Sequence, residues 1–301
     1  MLTFSKQMKA YSSILVTALL WSIIGVLSKV CLQEGLHPFQ CAFFRSLFGF
    51  LAFFIHCLVT HQLKISFKHC CWLMFFGVWG IGIYYSCAQI TILLAGASMD
   101  IILQYTAPFW VAIFARIFFG EVLTFNNLIA IFLACLGTLA VCVSGGSLKT
   151  NAPLIAIVTG LVSGLCYASH YPFTRFWQKR YSSAVIFTWM LAGGSIALFV
   201  ICIFTDNFRF DFKTNAYVSL AIIGIACTYL AFLTYGYALQ RLRLVPAVIC
   251  TQLEPVLSMF WVWLYFDECF SPIGWTGSFL ILFSILLLVL HQDTKSLSKS
   301  S

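Results

Sequence analysis

The chain has 301 residues, of which 61% are hydrophobic and only 9% charged. A soluble domain carries about 25% charged residues, and a chain of this size cannot hide so much apolar surface from water, so the composition excludes a soluble globular protein and implies an integral membrane one. The net charge of +8 comes without a basic run interleaved with aromatics, which argues against nucleic acid as a partner.

Ten apolar spans follow in chain order: Ser12–Val30, Phe39–Val59, Cys70–Leu93, Ser98–Phe118, Phe125–Ser144, Leu154–Pro172, Ser183–Phe204, Ala216–Leu239, Pro246–Phe266 and Pro272–Leu290. Each has about the ~20 residues a helix needs to cross the hydrocarbon. Helices are the natural choice, because lipid offers no partner to free backbone groups. The first span is too long for a cleavable signal and no A-x-A site follows it. Connections are short, which leaves no room for an extramembrane domain.

Orientation follows from the basic residues. With ten spans, twelve of the seventeen lysines and arginines fall in loops on one face, including Lys68, Arg116, Arg175, Lys179, Arg241 and Arg243. Four fall on the other: Lys29, Lys149, Arg209 and Lys213. The bias places both termini in the cytoplasm.

The chain repeats itself. "YTAPFWVAIFARIFFGE" (Tyr105–Glu121) and "QLEPVLSMFWVWLYFDE" (Gln252–Glu268) share one frame at an interval of 147 residues. The shift maps Pro108 onto Pro255, Glu121 onto Glu268, and Thr124 onto Ser271, the last two being N-caps for the following helix. A shift of 146 maps "WSIIGVLSK" (Trp21–Lys29) onto "YASHYPFTR" (Tyr167–Arg175). The expected fold is therefore an all-α integral membrane protein, with ten transmembrane helices forming two inverted five-helix repeats. The units are 12–144 and 154–290, followed by a short polar cytoplasmic tail, 291–301. Five is odd, so the second copy enters the membrane the other way up, a signature of secondary transporters. Pro38, Pro153, Pro246 and Pro272 stand at span starts, where a missing N–H costs little. Pro172 is near a span end. Pro108 and Pro255 lie deep in matching spans, which points either to broken helices beside a substrate path or to packing kinks.

"LLW" (Leu19–Trp21), "FFR" (Phe43–Arg45) opening the second span, and "P…GE" (Pro108, Gly120–Glu121) resemble the EamA-type repeat of the drug/metabolite transporter superfamily. "EP…DE" (Glu254–Pro255, Asp267–Glu268) is similar in the second copy. That copy departs from the pattern where Tyr167 replaces the tryptophan and Met190 stands about where Arg45 would fall. The resemblance covers nearly the whole chain. It implies ten helices and transport of small metabolites, often export of amino acids or related compounds, and leaves the substrate open.

Ionisable groups inside a span are candidates for function. Arg45 could receive a substrate carboxylate or phosphate through its planar fork, or snorkel and pair with an acid. Glu254, ~12 Å into the ninth span at ~1.5 Å per residue, could carry a proton between states, bind an ammonium group, or be satisfied by carbonyls freed at Pro255. Asp100 begins the fourth span, where a helix N-terminus welcomes an anion. Glu121 and Glu268 read as caps of the next helix, and His170 and His56 as core or interfacial residues. Trp21, Tyr84, Tyr85, Tyr105, Tyr167, Tyr229, Tyr235 and Tyr237 are amphipathic, and some of them can line a cavity. Gln89, Gln104 and Gln252 add neutral hydrogen bonding. Gly160 and Gly164 form a small-xxx-small pair for close helix contact. "GVWGIG" (Gly77–Gly82) lies in a span and has no strand before it, so it is no dinucleotide fingerprint.

The thirteen cysteines include no CxxC and no Cys/His cluster, so neither a metal nor another cofactor is expected. Cys31 and Cys269 fall near loops of one face, close enough in topology to pair. The nine acids are scattered, with no paired-carboxylate motif for a membrane-embedded lipid-modifying enzyme. The expectation is a non-enzymatic secondary transporter of a small-molecule substrate, an exporter or exchanger of amino acids in a bacterial inner membrane. An exchanger of a nucleotide-like or sulfonium metabolite, of the S-adenosylmethionine type, is the alternative. Proton coupling is one way to drive it, its solvent is the lipid bilayer, and it works as a monomer or homodimer.

Overall fold

The computed structural model describes residues 4–144, 153–205, 208, 210–266 and 271–297. Among them, ten helical stretches are long and apolar enough to cross a membrane. The first is split into α1 (Phe4–Ser22) and α2 (Ile24–Gln33), and the second is α3 (Pro38–Val59). The third comprises α4 (Phe67–Gly77), a π-helical turn (Val78–Ile83) and α5 (Tyr84–Ala95), and the fourth α6 (Ala97–Gln104) and α7 (Ala107–Phe119). The fifth, sixth and seventh are α8 (Phe125–Ser144), α9 (Leu154–Trp177) and α10 (Ser183–Phe204). The eighth repeats the third: α11 (Thr214–Gly224), a π turn (Ile225–Leu230) and α12 (Ala231–Leu239). The ninth is α13 (Leu244–Thr251) with α14 (Leu253–Phe266), and the tenth is α15 (Pro272–Leu297).

The repeat extends to irregularities that no composition rule announces. The two π turns begin at Val78 and Ile225, an interval of 147, and the split fourth and ninth spans match at the same interval. Each half therefore carries one π turn and one broken helix at equivalent places. The chain is an all-α membrane protein built from two inverted five-helix repeats.

Contacts between loops define the two faces. On the face where α1 begins, Glu121 meets Arg175 at 2.7 Å and Ser182 donates to Gln62. On the opposite face, Lys213 meets Glu34 at 3.2 Å. These pairings agree with the alternation expected of ten spans.

The helices close up through small residues, since apolar lipid gives no hydrophobic drive for helix association. α4 and α10 touch backbone to backbone: a Cβ on Gly77 would lie 2.0 Å from the Met190 carbonyl oxygen, and one on Gly193 would lie 2.0 Å from that of Met74. α8 and α15 do the same through Gly137 and Gly277. The pair Gly160 and Gly164 admits Leu103 and the backbone of α6 against α9. Large apolar side chains such as Phe67, Phe125 and Phe204 point outward, as lipid-facing residues do.

Several spans differ from the sequence reading in their bounds or continuity. α9 runs through Pro172 to Trp177, because the Trp177 ring packs on His69 and Tyr181, with centroids 5.0 and 6.0 Å apart. A proline in a membrane helix is tolerated when neighbours hold the segment. α15 continues past Leu290 to Leu297. The first span breaks at Ile23 without proline, where Ser22 accepts from Trp261 Nε1 at 2.9 Å and its carbonyl accepts from Ser258 at 3.1 Å. The fourth and ninth spans break before their prolines, at Tyr105–Thr106 and at Gln252. Pro108 and Pro255 stand in the first turns of α7 and α14, where an absent N–H leaves no bond unmade.

Thr124 and Ser271 accept from backbone N–H groups three residues on, at 3.3 Å each, and cap α8 and α15 as expected. Glu121 caps a different helix from the one expected. Its Oε1 accepts from Leu244 N, at the start of α13, at 3.1 Å. The reason is spatial: the left-handed Gly120 (φ 61°) ends α7 and turns the chain toward the eighth and ninth spans. Glu268 and Cys269 lie outside the described residues. Cys31 is buried, and its thiol faces the Ala216 carbonyl.

Candidate functional site

Three pairs of repeat-equivalent residues touch each other. Gln252 Nε2 donates to the Tyr105 carbonyl at 3.4 Å, Ser46 donates to the Leu191 carbonyl at 3.2 Å, and the Trp21 and Tyr167 rings meet edge-on at 6.0 Å. Residues related by a two-fold can touch only near its axis, so these contacts mark the pseudo-symmetry axis at mid-membrane. That is where substrate sites of inverted-repeat proteins lie.

Aromatic side chains line this centre. Trp21 packs on Tyr167, on Phe232 at 5.9 Å and on Tyr235 at 5.7 Å. Tyr84 lies 4.9 Å from Tyr85 and 5.9 Å from Tyr167, and Tyr105 lies 6.5 Å from Tyr167. Tyr171 closes the ring, its hydroxyl 2.9 Å from Thr251 Oγ1 and its ring 5.3 Å from Tyr235. Three buried donors in the group find no protein partner: Trp21 Nε1 and the hydroxyls of Tyr85 and Tyr235. A buried polar group is normally paired, so these donors suit an occupant that brings acceptors.

Two charges face this chamber from opposite repeats. Arg45 of α3 donates from Nε to Thr228 at 3.3 Å and lies 4.6 Å from the Tyr85 ring centroid, a cation–π contact. Glu254 of α14 faces the Tyr105 hydroxyl and feels the Arg45 guanidinium at a distance. The ion pairs among the described residues are Arg175–Glu121, Arg243–Glu121 and Lys213–Glu34, so Arg45 and Glu254 stay unjoined. Both side chains are half-buried mid-span.

The π turns serve this site. A π turn releases backbone groups from the α ladder and recurs at functional positions. In the first, the Gly80 carbonyl is taken by His170 Nε2. In the second, Thr228 Oγ1 donates back to the Ile223 carbonyl at 2.9 Å and accepts from Arg45. His170 is a core residue, as read, and it also forms part of the chamber wall, 6.1 Å from Tyr84 and stacked on Phe232.

Of the residues singled out in the sequence, the structure gathers Trp21, Arg45, Tyr84, Tyr85, Tyr105, Tyr167, Tyr235, Gln252 and Glu254. Gln252 is fully buried and structural in its contacts, bridging Thr138 and Tyr105. Gln104 ends α6, half-buried. Tyr229 turns away to His56 at 2.8 Å, and Tyr237 stacks under Arg241 at 3.6 Å on the α1 face. Sequence reading missed Phe232, Tyr171 and Thr251. Their signal was present in part: Tyr171 is one helical turn from Tyr167. Metal-ligand clusters are absent among the described residues.

The two ends of the chamber are unlike. On the α1 face, α7 packs against α13. Glu121 there ties Arg175 and Leu244 together, with Arg243 at 3.9 Å, and Arg175 reaches the Leu239 and Leu242 carbonyls. The symmetry-related pair, α6 and α14, makes no comparable packing contact among the described residues. Among the described residues, the broken spans therefore pack more closely on the α1 face than on the other.

The EamA-like transporter family profile matches residues 8–143 and 154–290, once per repeat. The chain belongs to the EamA-like transporter family. An uncharacterized transporter, YdfC, of Bacillus subtilis is 21% identical over 235 residues, covering 78% of this chain and 76% of the relative. An uncharacterized transporter of Archaeoglobus fulgidus is 24% identical over 88% of this chain and 92% of its own. A probable terminal-alkyne amino-acid exporter of Streptantibioticus cattleyicolor is 20% identical over 60% of each. A solved crystal structure superposes with a TM-score of 0.81, covering 93% of this chain and 96% of the other at 16% identity, which shows a shared fold. As an EamA-like protein, the chain is a multi-pass membrane protein of a transporter family.

Proposed function

We propose that this EamA-like protein is a secondary transporter that exports or exchanges small zwitterionic metabolites, amino acids among them, by alternating access. The observation that carries the reading is the pair Arg45 and Glu254, set across one aromatic chamber and not joined to each other. A guanidinium fork receives a carboxylate, a carboxylate receives an ammonium group, and the rings between them take an apolar or planar side chain. The name of the Streptantibioticus relative, an amino-acid exporter, supports the same class. The basic-residue bias supports a cytoplasmic α1 face in a bacterial inner membrane, with export through the looser face. The aromatic chamber beside Glu254 also suits a sulfonium or planar cation, which keeps an exchanger of nucleotide-like metabolites as the second reading.

The test is counterflow of labelled compounds in proteoliposomes, with a panel of amino acids beside nucleosides and a sulfonium compound. Saturable counterflow of amino acids that Arg45→Gln abolishes supports the proposal. Counterflow of the sulfonium compound alone, insensitive to Arg45→Gln, selects the second reading.

A further inference from the structure

A second buried acid sits outside the chamber. Asp100 lies in the first turn of α6, in a slot formed by α5, α8 and α9. It is 5% exposed, and its Oδ1 has no hydrogen-bond partner. The sequence reading placed it at a helix N-terminus that satisfies an anion, yet this oxygen receives no donor. Among the described residues, Ser163 of α9 is a polar side chain within reach of the carboxyl. The Ser163 hydroxyl donates to the Gly160 carbonyl at 2.7 Å, so its one hydrogen is not free to serve the carboxyl alone. The slot buries the carboxyl and leaves Oδ1 without a donor, surroundings that suit a carboxylic acid better than a carboxylate.

The titratable groups that interact with it are weak acids, Tyr84 and Cys87 of α5, with Cys166 of α9 beyond Cys87. Among the described residues, no lysine, arginine or histidine compensates it. Buried ionised carboxylates without a cation or donors are costly and rare inside membranes. Tyr84, whose ring lies 4.9 Å from Tyr85 and 5.9 Å from Tyr167 in the chamber wall, also feels the Asp100 carboxyl.

We propose that Asp100 is a proton-binding site separate from the substrate chamber, loading one proton onto its carboxyl from water in one access state and returning it to water in the other. The chemistry is one O–H bond formed and the same bond broken, with no other reactant. A site 95% enclosed in one state can exchange that proton only when the packing of α6 against α9 loosens. That packing is broken by design in the fourth span, where α6 and α7 are separate helices. The site division leaves Glu254 free for substrate. A coupling role rests on the transport reading above, but proton binding at Asp100 does not.

The experiment is infrared difference spectroscopy of the purified protein in lipid, stepping bulk pH without any substrate. A carboxylic-acid C=O band that bleaches as pH rises, is lost in Asp100→Asn and survives in Glu254→Gln, is the expected result. The band is expected to shift, and not vanish, in Asp100→Glu, which keeps the function if Asn weakens the fold. Thermal unfolding of all three variants checks that they are folded. A band that belongs to Glu254 alone overturns the proposal, as does an Asp100 band that sodium chloride bleaches at constant pH, which would make the slot a sodium site. Failure of amino-acid counterflow would leave this spectrum unchanged, so the two proposals fail separately.

Discussion

Gln252 donates to the carbonyl of Tyr105 at 3.4 Å, and the two residues are 147 positions apart, the interval between the two copies of the fold. Each is the residue at which its span breaks. The broken helices of the two repeats are therefore hinged against each other, with Thr138 of α8 holding the same amide at 3.4 Å.

Gln252→Leu keeps the volume and removes both bonds. A buried carbonyl left without its donor costs about 1–3 kcal/mol. The variant is expected to unfold at a lower temperature in detergent micelles than the parent. Gln252→Glu, which keeps an acceptor for Thr138, is expected to recover part of the loss. An unchanged melting temperature in Gln252→Leu would show that the hinge contact carries no stability.

Gly77→Val and Gly193→Val each drive a branched side chain into a facing backbone, where even a Cβ would lie 2.0 Å from a carbonyl oxygen. Overpacking alone costs about 1–3 kcal/mol, and here the obstacle is backbone, which has no rotamer to give. Both variants are expected to lose the monodisperse peak in size-exclusion chromatography. Gly25→Val serves as the control, since a Cβ there meets open space.

Arg45→Lys keeps the charge and loses the fork, the Thr228 bond and the stacking on Tyr85. Hydrogen bonds to charged groups are worth about 1.5–3 kcal/mol, roughly 10- to 100-fold in affinity. A loss of that size for carboxylate-bearing compounds, with little change for their amides, is the expected result in binding assays by calorimetry. Glu254→Gln is expected to show the mirror pattern, weakening compounds that carry an ammonium group. Equal losses across all compounds would assign both residues to folding.

Glu121→Gln removes the charge that holds Arg175 and Arg243 on the α1 face. Hydrogen exchange across Leu239–Leu244 is expected to rise several-fold, because Glu121 also caps Leu244 N. The same measurement at high salt is expected to move the parent only slightly, since the Glu121 carboxylate is only 10% exposed and buried pairs are weakly screened. Protection unchanged in the variant would show that the α1 face is held closed by apolar packing of α7 on α13 instead.

Reporter fusions after Lys68 and Lys179 are expected to lie on the cytoplasmic side, and fusions after Lys149 and Lys213 on the other. If Lys149 and Lys179 report one side, the inverted arrangement is wrong in this membrane.

What was legible in the sequence was whatever lipid imposes. The ten spans, the 147-residue interval and the inward ionisable residues follow from the cost of polar groups in hydrocarbon, and Arg45 and Glu254 stand out on that ground alone. What was illegible depends on which face a helix turns. Tyr229 and Tyr235 lie in the same span and read alike, yet one meets His56 near the edge and the other joins the chamber. The π turns at Val78 and Ile225 have no residue signature beyond nearby glycines, because they are set by contacts from His170 and Thr228 in three dimensions. Asp100 read as an ordinary N-terminal acid because the sequence does not show that α9 closes over it. The break at Ile23 has no proline and depends on Ser258 and Trp261, more than two hundred residues away in the chain.

Each π turn holds an extra residue that the rest of its helix does not need for hydrogen bonding. One residue is worth about 100° of rotation at 3.6 residues per turn. Deleting a single position within Val78–Ile83 would let the ladder run as plain α-helix with the two ends of the span still in phase, whereas forcing all six residues into an α ladder would swing one end about 100° relative to the other. In the second case Tyr84 and Tyr85 would leave their present positions while α4 stayed locked to α10 by its glycines. The π turn is thus a phase setting: by absorbing one residue it lets one span present a tight packing face at one end and an aromatic wall at the other, two faces that an unbroken α period through the same residues would not align. The same setting in the second repeat places Thr228 under Arg45, so a further insertion that the turn did not absorb would be silent in hydropathy and disruptive in the chamber.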